Sequence, residues 1–162
     1  MAIQVKVQVE DFDVARAYQS IREAGGAKVG AIAAFVGLVR DRNEKAGDGS
    51  KVSTLTLEHY PGMTEKSIES IAEKAISRWP LLDLHVYHRV GRLAPTEQIV
   101  LVLASSAHRD AAFAGAEFVM DYLKTDAVFW KKESTEEGDH WIQSTSSDHA
   151  RATEWDKTNR RD

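Results

Sequence analysis

Ile3, Val5, Val7 and Val9 alternate with Gln4, Lys6 and Gln8, and a period of two belongs to a strand with one buried face. The chain opens with that strand. Asp13 stands where it caps a short helix running to about Glu23, and Gly25-Gly26 ends it. The apolar run over 30–39 reads as a second strand, and it empties into residues 41–50, which are polar, contain glycine and predict a mobile loop. Val52 to Tyr60 alternates again, with Leu55 and Leu57 facing one way and Thr54, Thr56 and Glu58 the other, before Pro61-Gly62 turns the chain.

From Thr64 the period changes to that of a helix. Ile68, Ile71, Ala72, Ala75, Ile76 and Trp79 fall on one stripe, and Pro80 stops it. Leu84 to Val90 and Gln98 to Ser105 are further strands, the second apolar enough for the middle of a sheet. A helix from about Ala107 to Lys124 buries Ala112, Ala116, Val119, Met120 and Leu123. Phe129 to Lys132 and Trp141 to Ser144 form a closing hairpin around residues 136–139. Beyond Ser144 the apolar pattern fades, so the expectation is one catalytic-type domain over 1–144 and a polar tail over 145–162, disordered or docked on a partner. Strands and helices mix without regular βαβ alternation, which predicts an α+β fold with a mainly antiparallel sheet and packed helices.

Composition narrows what such a domain does. At 162 residues the chain suits one core. No apolar run approaches the roughly 20 residues of a membrane helix, and the N-terminus lacks the layout of a signal peptide, so the expected location is cytoplasmic, with no membrane partner. Cysteine is absent, which removes thiolate catalysis and cysteine-based zinc sites and leaves any nucleophile to another residue type or to a partner. A net charge of −4 argues against a broad nucleic-acid-binding face while leaving room for a local basic pocket.

Three stretches carry candidate chemistry. Lys124 and Lys131 flank the aromatic pair Phe129-Trp130 just after a helix. A lysine held against aromatic and cationic neighbours can shed its proton near neutral pH and act as nucleophile or base; the plainer reading is a helix ending on a favourable cation and a strand showing its lysines to water. Ser105-Ser106-Ala-His108-Arg109 sits where a central strand hands over to a helix, either a phosphate site built on free N–H groups and a guanidinium or a serine cap with a wet His-Arg pair. Arg40 and Arg42 lie where a strand runs into a loop, the usual place for binding residues and also for solvated arginines. His85 and His88 are odd-spaced on one strand and face opposite ways, so no metal is expected. Nucleotide-binding glycine motifs and a Gly-x-Ser-x-Gly elbow are missing, and no cofactor is expected.

Taken in order, Phe35-Val-Gly-Leu-Val-Arg40, Leu57-Glu-His-Tyr-Pro-Gly-Met63, His88-Arg-Val-Gly91, Ser106-Ala-His-Arg109, Met120-Asp-Tyr-Leu-Lys124 and Phe129-Trp-Lys-Lys-Glu133, followed by Glu137-Gly138-Asp139 and Trp141, resemble the MoaE family, the catalytic subunits of molybdopterin synthase, over roughly residues 30–143. The resemblance implies an α/β hammerhead fold and a sulfurtransferase that turns cyclic pyranopterin monophosphate (precursor Z) into molybdopterin. It implies a small MoaD-like, ubiquitin-fold partner whose C-terminal Gly-Gly carries the sulfur as a thiocarboxylate, which is why the chain needs no thiol of its own. It also implies Lys124 and Lys131 as catalytic lysines; Leu38, Val39, Arg40, His108, Arg109, Lys132 and Glu133 as substrate-binding residues; and Phe35 and Met120 as pocket residues.

Two departures stand out: Val128 replaces an expected proline, loosening the turn into the strand, and His140 replaces an expected arginine, removing one anion contact from the pocket. On one helix, sixteen steps of about 1.5 Å put His108 and Lys124 roughly 24 Å apart. The expectation is therefore a homodimer within a heterotetramer, with His108 and Arg109 of one subunit completing the pocket of the other. Two readings from other classes compete with the enzyme: a non-catalytic adaptor that binds an extended C-terminal tail, and a nucleic-acid platform using Phe129 and Trp130, which the acidic balance disfavours.

Overall fold

The structure, a computed structural model, describes residues 2–42, 51–127, 129–142 and 146–158. Two four-stranded sheets carry the chain. Strands β1 (Ala2–Gln8), β2 (Ala31–Leu38), β4 (Leu81–Arg89) and β6 (Gln98–Ser106) form the first in the order β1-β4-β6-β2. Strands β3 (Val52–His59), β5 (Gly91–Leu93), β7 (Phe129–Thr135) and β8 (Gly138–Ile142) form the second in the order β5-β3-β7-β8. The helices are α1 (Val14–Gly25), α2 (Met63–Arg78), α3 (Arg109–Leu123) and α4 (Ser146–Thr158). Among the described residues only β1 and β4 pair in parallel and the other ladders are antiparallel, so the α+β reading with a mainly antiparallel sheet holds.

The first sheet is the core. β4 and β6 lie in its middle and are buried on both faces because helices cover both. Leu84, Val86, Val102 and Ala104 point at α2 and α3, meeting the fully buried stripe Ile68, Ile71, Ala72 and Ala75 and the ring of Phe118. Tyr87, Leu101 and Leu103 point the other way, onto Ile21, Ala17 and Phe12 beside α1. The Asp13 carboxylate accepts from the Arg16 N–H at 3.0 Å, the cap its position predicts. Glu65 does similar work at α2, accepting from the Gly62 N–H at 2.6 Å, and Gly62 takes the left-handed turn (φ 84°) that a side chain would resist.

Four expectations need correction. β5 is too short for a period to reveal it, yet its Leu93 is buried against Leu55 and Leu57. The hairpin strands reach further round the turn than the apolar signal does, because Glu133 to Thr135 are half-buried polar residues that pair fully with β3 or β8. Helix α3 starts at Arg109, with His108 as its extended N-cap residue making no side-chain cap. Ser105 and Ser106 are wholly buried at the end of β6: the Ser105 hydroxyl accepts from the Asp83 N–H at 3.0 Å, and that of Ser106 donates to the Pro80 carbonyl at 2.9 Å.

The fourth correction concerns the tail. Residues 146–158 form α4, packed on the chain's own helices. The Trp155 Nε1–H donates to Asp121 at 2.8 Å, Tyr122 Oη donates to Asp156 at 2.9 Å, and Arg78 donates to the Trp155 carbonyl at 3.1 Å. Trp155 also meets Trp79 and Phe118 edge to face. A helix with so little apolar surface is held by this one polar and aromatic seam. The predicted mobile loop, from residue 43 on, and position 128 lie outside the described residues.

Candidate active site

Where the two sheets meet, a cavity of about 630 Å³ opens, lined among others by Leu38, Val39, Arg40, Lys124, Lys131 and Glu133. Three elements bring these together. β2 delivers the first three. Its register against β6 shifts between Gly37 and Leu38, a bulge that leaves Ile99 unmatched and re-aims the strand end into the cavity. α3 delivers Lys124 as its C-cap residue, at the negative end of the helix dipole, which favours a cation. The turn that follows is tight, with the Asp126 N–H donating to the Tyr122 carbonyl at 2.8 Å.

β7 delivers the rest. Strand alternation puts Lys131 and Glu133 on one face, opposite Leu57 and Leu55 of β3, and turns Lys132 to the other. Behind β7, the ring of His88 stacks on Phe129 with centroids 3.9 Å apart. Burial drives the His88 pKa down to about 4, so its ring is neutral and its Nδ1–H donates to the Arg89 carbonyl at 2.8 Å. Phe129, a cavity-lining residue, thus rests on a rigid uncharged plate.

The lining is strongly cationic for a chain of net negative charge: Arg40, Arg42, Lys124 and Lys131 face Glu133 and Asp148. Such a pocket attracts an anion and sets two amines from different elements beside it. Among the described residues, no group of three or more His, Cys, Asp or Glu could hold a metal ion.

The remaining candidates lie elsewhere. His108 and Arg109 are at the far end of α3 and do not line the cavity. Lys132 holds its ammonium 5.6 Å from the centroid of the Trp141 ring, outside the lining. Met120 is partly buried against the core, and Phe35 is 42% exposed on β2; neither lines the cavity. His140 sits opposite Glu133 on the ladder, exposed and outside the lining. Sequence reasoning missed Asp148 and His149, which reach the cavity from the first turn of α4. The Ala152 to Trp155 spacing was the one apolar sign that this segment folds back.

Fold and groove together define a class: an α+β protein of two sheets whose junction forms a cationic groove lined by two lysines from different elements. The profile of the MoaE protein family matches residues 7–126. A molybdopterin synthase catalytic subunit of Vibrio cholerae is 54% identical over 152 residues, spanning 94% of this chain and 97% of that protein. The molybdopterin biosynthesis MoaE protein of Burkholderia ambifaria superposes with a TM-score of 0.80 at 47% identity, over 96% of this chain and 99% of that one. The molybdopterin synthase structure from Staphylococcus aureus matches with a TM-score of 0.75 at 28% identity, over 85% and 95%. The chain belongs to the MoaE family.

Proposed function

We propose that this chain is the catalytic subunit of a cytoplasmic molybdopterin synthase, moving sulfur from the thiocarboxylated C-terminus of a small ubiquitin-fold subunit onto cyclic pyranopterin monophosphate to build the molybdopterin dithiolene. The observation that carries the reading is the convergence of Arg40, Lys124, Lys131 and Glu133 on one cavity at the junction of the sheets, in a chain of this family. The cavity suits a pterin-sized molecule. Arg40 offers its planar fork to the phosphate. Of the two lysines, one in neutral form attacks or takes a proton while the other, charged, steadies the developing negative charge. On this reading the sulfur arrives on the partner's tail, which accords with a chain that has no cysteine.

His108 and Arg109 complete the site, on this reading, from a second copy of the chain. Their separation from Lys124 by the length of α3 supports that arrangement. So do the free edge of β2 and the exposed rings of Phe35 on it and Phe113 on α3.

Conversion of precursor Z with thiocarboxylated small subunit tests the reaction. The expected result is product with wild type and none measurable above about one part in a hundred with Lys124→Ala. Full activity in that variant overturns the chemistry. Mixing Arg109→Ala and Lys124→Ala chains tests the shared site: hybrid dimers should recover part of the activity, and proven hybrids that recover none remove it.

A further inference from the structure

The His88-Arg89-Val90-Gly91 stretch lies outside the cavity lining, yet Arg89 is 7% exposed, a charge drawn into the interior at the end of β4. We infer that Arg89 is a positioning residue for Arg40, acting through the turn that connects β5 to β6. This rests on the reading of Arg40 as a ligand of the substrate phosphate.

The chain of contacts is continuous. Val39, immediately before Arg40, is held on both sides of its backbone: its N–H donates to the Glu97 carbonyl at 2.9 Å, and its carbonyl accepts from the Thr96 N–H at 2.8 Å. To present that N–H, Thr96 adopts φ 77°, and it is the one non-glycine residue in the left-handed region among the described residues. For a β-branched side chain this conformation is strained and survives only where its surroundings enforce it.

Two groups enforce it here. The Glu97 carboxylate bridges the turn, accepting from the Ala94 N–H at 2.5 Å and from Arg89 Nη1 at 3.3 Å. Arg89 then ties that carboxylate to the sheet: Nη1 also donates to the Gln98 carbonyl at 3.2 Å, and Nε and Nη2 both donate to the Val9 carbonyl at 3.1 and 3.0 Å. Only a guanidinium can send donors in these directions at once. Loss of Arg89 frees Glu97, lets Thr96 relax, and releases the clasp on Val39. Arg40 then loses its fixed approach, and small misplacements of a binding group are costly.

The test is steady-state kinetics of the assembled two-subunit enzyme on precursor Z for Arg89→Met, Glu97→Ala, Arg40→Ala and the double variants with Arg40→Ala. Arg89→Met is expected to raise KM about tenfold and Glu97→Ala about threefold, with kcat within about twofold of wild type in both. In the Arg40→Ala background each should add less than about twofold, because the group they position is gone. A merely structural role would instead lower kcat through the active fraction and lower the melting temperature, leaving KM in place. If Arg89→Met does not fold, Glu97→Ala decides, since its side chain is 41% exposed and lies on a turn. An Arg40→Ala chain with wild-type KM overturns the reading of the site itself. A raised KM in Arg40→Ala together with unchanged or fully additive effects of Arg89→Met and Glu97→Ala overturns the positioning role alone.

Discussion

The two sheets divide the labour of the molecule. In the first, β4 and β6 are buried almost from end to end, sandwiched between α1 on one face and α2 with α3 on the other. In the second, β7 and β8 are half-buried or exposed throughout, over the small apolar cluster of Val39, Leu55, Leu57 and Leu93. Yet Lys131 and Glu133 stand on the second sheet, and Arg40 and Lys124 reach the cavity only where elements of the first run out to meet it. A charged group that must meet substrate cannot sit in a packed core, where desolvation would cost several kcal/mol. The thick sheet therefore serves as foundation, and the candidate site residues gather where it meets the thin one.

That division is open to direct attack. The largest effect belongs to the junction, where each side supplies one lysine: Lys124→Ala and Lys131→Ala should each lower turnover by about 10³, near 4 kcal/mol of barrier, while the melting temperature moves by less than about 2 °C. A large loss of stability in either would mean that the lysines hold the fold instead. Next comes Phe118→Ala in the thick side. It should cost about 3–5 kcal/mol in urea unfolding and leave turnover per folded molecule unchanged.

Acid probes the junction between the two. Burial lowers the folded-state pKa of His88 to about 4, below the ordinary histidine value, so the unfolded chain binds the proton more readily. The stabilisation is complete above about pH 6.5 and is lost as pH falls towards 4, at up to about 1.4 kcal/mol per pH unit. His85, lowered in the same direction chiefly by burial, adds to the trend. Urea midpoints taken between pH 7 and 4.5 should fall more steeply for wild type than for His88→Phe, which keeps the stacking on Phe129 and removes the proton site. Equal slopes would show that His88 is not the titrating group. The smallest effect is expected from Lys132→Ala, on the outward face of β7: less than about 1 kcal/mol from its contact with Trp141, and turnover within about twofold. A loss like that of Lys131→Ala would mean that the face assignment of β7 is wrong in the working complex.

Much of this architecture is legible in the chain without coordinates. The stripe of α2, the alternation of β1 and β3 and the apolar run of β6 are local patterns, and the structure reproduces each because they encode burial, of one face in the first three and of both in β6. Elements missed or misjudged share a different cause. β5 and the outer parts of β7 and β8 are stabilised by pairing with β3 and with each other, so their own residues carry little apolar signal. α4 depends on Asp121, Tyr122, Arg78 and Trp79, more than 20 residues away in the chain.

The site shows the same split. The residue types and their order determine family membership, the absence of a thiol and the pairing of lysines around Phe129-Trp130, because these are properties of composition and spacing. Tertiary structure decides which of them share a cavity. It turns Lys131 inward and Lys132 outward through the register of β7 on β3, and it brings Asp148 and His149 in from a segment that reads as tail. It sets His108 and Arg109 a helix length away from the lysines. Register and long-range packing depend on which strands and helices meet, and no local stretch of sequence contains that information.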